Sequence, residues 1–242
     1  MMVLGLTARQ IQILKLIVEE FISTAKPVGS EVLDRKHNIG VSPATIRNEM
    51  VYLAKQGYLS KDHSSSGRMP TAAALKLYVH ELMKEKELTV ADEVGVKEKI
   101  WNSRDNYEDL IMQIARVLAE RSRALGMVIT DDHRVFHSGY ANLLSMPEFF
   151  DIKVMRDVLT LIEEEKVLEE IFKFGDSENP IQVVYGAEFS NRYLEPVSLV
   201  FTTVENKDGQ KLRLAVLGSH RFDYPYLLPM MKYFKKLIED LV

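Results

Sequence analysis

The sequence predicts an α+β protein of two domains: a small helical module closed by a short hairpin, then a larger module mixing helices with antiparallel strands. Three observations carry this. The chain has 242 residues, too many for one small domain and too few for three. Its charge is unevenly placed: residues 1–80 hold ten Lys and Arg against six Asp and Glu, a net +4, which leaves −8 on the remainder of a chain whose total is −4. Long runs with strand character appear only after Gly126, whereas apolar residues before it recur mostly at helical spacing.

The elements follow in order. Thr7-Ala8-Arg9-Gln10 has the capping-box pattern, in which the Thr hydroxyl and the Gln amide satisfy orphan N–H groups reciprocally. Ile11, Leu14, Ile17, Val18 and Phe21 continue that first helix. Lys26-Pro27-Val28-Gly29 breaks the pattern. Ser30 is expected to cap a short second helix through about His37, with Val32 and Leu33 turned inward, and Asn38-Ile39-Gly40 to turn the chain. Ser42 caps a third helix with Pro43 at its first position, where a missing N–H costs nothing, and Gly57 ends it. Tyr58-Leu59-Ser60 reads as a strand, His63-Ser64-Ser65-Ser66-Gly67-Arg68 as an exposed polar loop, and Met69 as the start of a return strand. Thr71 opens a fourth helix from Ala72 to about Lys86. Three helices, a strand, a polar loop and a return strand make a winged helix-turn-helix, placed at 1–86.

The charged run after Glu85 is the predicted linker, 87–105. A helix over Tyr107–Leu125 opens the second domain, 106–242. MVIT (127–130) and RVFHSG (134–139) read as strands joined by a turn at Asp131-Asp132-His133, and Pro147 starts helical sequence to about Lys173. IQVVYG (181–186), VSLVFTTVE (197–205) and KLRLAVLG (211–218) are further strands, the last two joined by a turn at Asn206-Lys207-Asp208-Gly209. A final helix covers about Tyr226–Leu241, and its stripe of Leu227, Leu228, Met231, Phe234 and Ile238 looks broad enough for self-association. Helices mixed with antiparallel strands suggest an α/β sensor-like domain.

The third helix has two faces. Advancing about 100° per residue puts Ile46, Met50 and Leu53 on one side and Ala44, Asn48, Val51 and Lys55 opposite, with Thr45 and Tyr52 on one flank and Arg47 on the other. Small residues allow close approach to a major groove, Asn bonds adenine bidentately, and Arg bonds guanine or phosphate. Because the first turn of such a helix enters the groove, Ser42, Ala44, Thr45, Arg47 and Asn48 are the strongest candidates for DNA contact, with Tyr52 and Lys55 beyond them. In the wing, His63, Ser64 and Ser65 suit phosphates, and Arg68 suits a phosphate or the minor groove. The plainer alternative is a solvated helix face and a solvated loop.

Other chemistry finds little support. With no cysteine, disulfides, thiolate metal sites and Cys nucleophiles are excluded and a reducing cytoplasm fits. No G-x-S-x-G, P-loop, H-E-x-x-H or dinucleotide fingerprint is present, so no catalysis, cofactor or metal is expected. His133 and His137 are four apart, but on an expected hairpin, where that spacing makes no helical metal pair. No apolar run reaches membrane length, MMVLGLTARQ lacks the basic start of a leader, and a cytoplasmic, nucleoid-associated protein is expected. Two alternatives stay open: a ligand-sensing regulator whose pocket is lined by Tyr140, Phe189, Tyr193 and Phe201, and an interaction module without DNA binding.

LTARQIQILKLIVEEFISTAKPVGSEVL, SPATIRNEM, GYL and H-SSSGRMPT, spread almost continuously over residues 6–79, resemble the HrcA family of heat-inducible transcription repressors. Farther on, Tyr140-Ala141-Asn142-Leu143-Leu144 with Pro147-Glu148-Phe149 is similar to the family's NLL…PEF stretch, and Gly186-Ala187-Glu188 with 217–224, LGSHRFDY, is similar to its GPTRMDY region. The resemblance implies a GAF-like domain behind the winged helix. It implies a homodimer on an inverted-repeat (CIRCE) operator of chaperone genes, double-stranded DNA as partner, help from the GroEL chaperonin, and release on heat shock. The chain departs from the family pattern in the wing, where His63-Ser64-Ser65-Ser66 stands for HTSA, and at Ala74-Leu75-Lys76 and Ser219-His220, and it is short by on the order of 100 residues, about a small domain. Between Pro147 and Pro180 there is no room for the family's inserted dimerising segment.

Overall fold

The computed structural model describes residues 5–61, 67–173, 179–189, 191–205 and 209–241. Contacts divide it into two compact units, Met1–Lys84 and Glu85–Val242, and helix and sheet are mixed in both.

The first unit holds α1 (Ala8–Thr24), α2 (Ser30–His37), α3 (Pro43–Lys55), β1 (Leu59–Lys61), β2 (Arg68–Pro70) and α4 (Ala72–Leu77). The capping box is formed: Gln10 N–H donates to Thr7 Oγ1 at 3.3 Å and Thr7 N–H to Gln10 Oε1 at 2.9 Å. Ile13, Leu14, Ile17, Val18 and Phe21 of α1 are buried with Leu33, Ile46, Met50, Leu53, Leu59 and Leu75. Strands β1 and β2 pair antiparallel, Leu59 against Pro70 and Lys61 against Arg68. The Pro27–Gly29 break does more than interrupt a helix. Val28 N–H donates to the Arg68 carbonyl at 2.8 Å and Arg68 N–H to the Val28 carbonyl at 2.9 Å, so this segment is a third partner of the ribbon. Gly67 is required there, because a Cβ would lie 2.8 Å from Pro27 Cβ and 2.9 Å from its carbonyl carbon.

Two expectations for this unit need correction. Gly29, not Ser30, is the N-cap of α2; Ser30 lies inside the first turn and is buried. The fourth helix stops being α-helical at Leu77 and continues as a π-turn, Tyr78–Leu82, instead of running to Lys86. Thr71 does cap it, and the Thr71 hydroxyl also donates to the Gly57 carbonyl at 2.7 Å.

The second unit corrects the linker. Within 87–105 lies α5 (Val90–Trp101), begun by a Thr89–Asp92 capping box and burying Val96 and Ile100. Two apolar residues at i, i+4 suffice to seat it on α6 (Tyr107–Ser122), with Lys99 Nζ 2.6 Å from Glu120 and Arg121 3.3 Å from Asp92. Then come β3 (Leu125–Ile129), β4 (Val135–Ser138), α7 (Tyr140–Leu143), α8 (Ile152–Glu163), α9 (Glu165–Phe172), β5 (Gln182–Tyr185), β6 (Val197–Glu205), β7 (Lys211–Ser219) and α10 (Tyr224–Leu241). The strands form one antiparallel sheet in the order β4-β3-β7-β6-β5. Alternate residues separate its faces. Met127, Leu199, Phe201 and Leu217 meet Val158 and Leu161 of α8 and Leu168 and Ile171 of α9; α6 and α10 cover the opposite face. Gly126 allows that closeness, since a Cβ there would fall 2.3 Å from the Ala115 carbonyl oxygen.

Thr130 and His133 close the β3–β4 turn as expected, His133 N–H donating to the Thr130 carbonyl at 2.9 Å. The helical stretch after Pro147 is three pieces: a 3-10 turn (Pro147–Phe150), α8 and α9. Of the Asn206–Gly209 turn, only Gly209 lies among the described residues, at φ +80°. The stripe on α10 is not a free face: Leu227, Leu228, Met231, Phe234 and Ile238 are all buried within this unit.

Candidate nucleic-acid interface

The outer face of α3 is built as its periodicity predicts. Ile46, Met50 and Leu53 are buried, while Ser42, Ala44, Arg47, Asn48, Val51, Tyr52 and Lys55 are exposed and Thr45 is half-buried. Ser42 Oγ accepts from Thr45 N–H at 3.2 Å and lies 3.0 Å from Thr45 Oγ1, so the cap also orients the first hydroxyl of the face. The one acid of α3, Glu49, is drawn toward α1: Gln10 Nε2 donates to it at 2.9 Å and Arg9 Nη1 lies at 3.7 Å. The remaining exposed side chains of α3 are small, amide, hydroxyl, aromatic or cationic, with no carboxylate among them.

Beside that face lies a cleft of about 510 Å³ within the first unit, lined by Arg35, Arg47, Lys61, Arg68 and Glu31 together with the start of α2. Among the described residues, four cations and one carboxylate line it. Arg68 is half-buried and its Nη1 donates to its own neighbour's carbonyl, Gly67 O, at 3.2 Å. Two of the four cations, Arg35 and Lys61, were not singled out from sequence. They come from different segments, and the structure joins them to Arg47 and Arg68, which were. His63, Ser64 and Ser65 lie outside the described residues.

The candidate sensory residues do not gather. Phe201 is buried in the core, edge-on to Phe172 at 4.7 Å. Tyr140 packs edge-on to His137 at 4.8 Å, and Tyr193 lies under Arg192 and Lys153. Only Phe189 borders the cleft of about 560 Å³ on this unit, with Leu161, Ile171 and Leu194. His133 Nδ1 lies 2.8 Å from Glu169, away from His137. A half-buried pair stands at one end of the sheet: Arg221 Nε and Nη2 both donate to the Glu148 carboxylate, the second at 3.0 Å. Burial pushes Glu148 up, but the Arg221 bonds outweigh it and hold the carboxyl below its ordinary value.

Comparison with known proteins agrees with this architecture. The family model for the HrcA protein C-terminal domain matches residues 46–227, most of the chain. The chain belongs to the HrcA family. Relatives named heat-inducible transcription repressor HrcA include one from Symbiobacterium thermophilum, 24% identical over 323 residues with 92% of this chain and 95% of that protein covered. Another, from Pelotomaculum thermopropionicum, is 25% identical over 335 residues, with 97% of this chain and 96% of that protein covered. Both alignments run longer than this chain's 242 residues, so these HrcA proteins carry sequence that this chain lacks. A crystal structure of a hypothetical protein has the same fold, with a TM-score of 0.75 at 18% identity, covering 98% of this chain and 97% of that one. No helix among the described residues is long and apolar enough to cross a membrane.

Proposed function

We propose that this HrcA-family chain is a sequence-specific, heat-inducible transcription repressor. Its first unit is a winged helix-turn-helix, and its second is a GAF-like regulatory and dimerisation domain. The observation that carries the reading is the outer face of α3, free of carboxylates and flanked by a cationic cleft. In this reading α3 enters the major groove with Ser42, Ala44, Thr45 and Asn48 at the base edges. Tyr52 and Lys55 lie farther along, and the wing residues His63, Ser64, Ser65 and Arg68 reach the backbone. One such helix reads only a few base pairs, so a homodimer on an inverted repeat upstream of chaperone genes supplies the rest.

Fluorescence anisotropy tests this, with a labelled inverted-repeat duplex and a scrambled control over a salt series. Preference for the repeat, falling steeply as salt rises, is the expected result. Salt-independent binding, or none, refutes it. One observation favours a second reading, that the GAF-like domain senses a small molecule: the cleft bounded by Leu161, Ile171, Phe189 and Leu194 has room for one, at about 560 Å³. Thermal-shift screening against metabolites, with no compound raising the melting temperature, removes that reading.

A further inference from the structure

The cleft beside α3 changes the role of one residue. Periodicity places Arg47 on a flank of α3, where its guanidinium has two uses, reading guanine or holding phosphate. In the structure Arg47 turns to the side that Arg35, Lys61 and Arg68 also line, away from the flank of Thr45 and Tyr52. Gly29, Ser30, Glu31 and Val32 close the cleft with the start of α2, whose Gly29 cap supplies no side-chain bond. The positive end of that helix therefore adds to the four cations. Among the described residues Arg35, Arg47 and Lys61 have no acidic partner within ion-pair distance, and all three are exposed. Base edges offer a planar, mixed donor and acceptor pattern. A concave site carrying mainly positive charge fits a phosphodiester instead.

We propose that Arg35, Arg47, Lys61 and Arg68 form a clamp on the DNA phosphate backbone. Arg47 thus fixes the register of α3, and base discrimination rests on Asn48 and its neighbours. This rests on the DNA-binding reading above. Glu31 at the rim opposes the bound phosphate, so its removal strengthens binding to every sequence.

The test measures anisotropy across a salt series for the full chain and for Arg35→Gln, Arg47→Gln, Lys61→Gln, Glu31→Gln and Asn48→Ala. Each is measured on the inverted-repeat and the scrambled duplex, with Lys15→Gln on α1 as a control. Each Arg→Gln or Lys→Gln change in the clamp lowers the slope of log affinity against log salt by about one. It loses the same factor on both duplexes. Glu31→Gln tightens both, Asn48→Ala keeps the slope and loses the preference, and Lys15→Gln changes nothing. Melting curves at the wild-type position show that the exposed variants are folded. The clamp is overturned if Arg47→Gln keeps the slope and erases the preference, or if Arg35→Gln and Lys61→Gln bind as the wild type does. If the wild type binds both duplexes equally, the slopes alone decide. If it binds neither, the DNA-binding reading fails and the clamp fails with it.

Discussion

Replacing Glu148 by Gln tests what holds the second unit together. Glu148 sits in the 3-10 turn before α8, and Arg221 follows β7, so the pair ties two segments 73 residues apart. Their side chains are only 12% and 13% exposed. Gln keeps the size and one acceptor, but it turns an amide donor toward a guanidinium and leaves that cation without its counter-charge. Breaking a buried pair from one side costs about 3–5 kcal/mol, and the residual exposure of both groups lowers this to about 2–4 kcal/mol. For a chain of this size that is a fall in melting temperature of roughly 5–15 °C. Trp101 on α5 is the only tryptophan, so its fluorescence in urea reports the second unit specifically. The loss has a pH signature. The folded carboxyl is held below its unfolded value, with burial opposing and Arg221 prevailing. Its contribution is therefore complete above the unfolded pKa and disappears as pH falls through the folded one. The gap between wild type and Glu148→Gln should narrow steadily on acidification. A gap below about 0.5 kcal/mol at neutral pH, the scale of an ordinary surface change, or one independent of pH, refutes the assignment.

Three further outcomes are expected. Ser42→Ala removes the bond from Thr45 N–H and the contact to the Thr45 hydroxyl; urea unfolding followed by circular dichroism should show a loss of about 1 kcal/mol, with weaker binding to the inverted-repeat duplex. Gly186→Ala places a Cβ 1.6 Å from the Leu194 carbonyl oxygen, so it should give no cooperatively folding second unit, and a wild-type Trp101 transition would contradict that. Desolvation lowers the His220 imidazole to about 4, so the unfolded chain binds its proton first and stability falls between about pH 6.5 and 4. His220→Gln should flatten that part of the stability profile, and a slope identical to wild type would remove His220 from the account.

Local signals carried the first unit, and non-local ones limited the reading. Thr7, Ser42 with Pro43, and Thr71 announce their helices because a cap is settled within three residues. The Val28–Arg68 bridge spans a gap that no local rule covers, so Pro27–Gly29 reads only as a break. Ser30 is a good cap by type, yet it lies buried inside the first turn and a glycine takes the cap. In the second unit, α5 hides in a charged run because only Val96 and Ile100 face inward. The α10 stripe misleads in the opposite direction, since breadth alone does not distinguish a core face from a docking face. Here α10 covers the sheet, and the whole stripe is buried.

The candidate interface divides in the same way. A helix face is periodic, so the exposed side of α3 is readable from spacing. A cleft is not. Arg35, Lys61 and Arg68 belong to three other elements, and nothing in their spacing relates them to Arg47. The signal that does exist is coarse: the positive balance of residues 1–80 on a chain of net charge −4. Coarse charge gains its meaning from range. At physiological ionic strength electrostatic influence decays over about 8 Å, so a phosphate in the cleft responds first to the charges that line it, four cations and Glu31. Glu49 shows the same rule at closer quarters. On a helical wheel it falls between Leu53 and Thr45, at the edge of the core face of α3, and a carboxylate left unpartnered there would repel a phosphate. Gln10 and Arg9 on α1 hold its carboxylate and spend its charge there. What decides whether this face accepts an anion is therefore the arrangement of five or six side chains, which the fold sets and the net charge conceals.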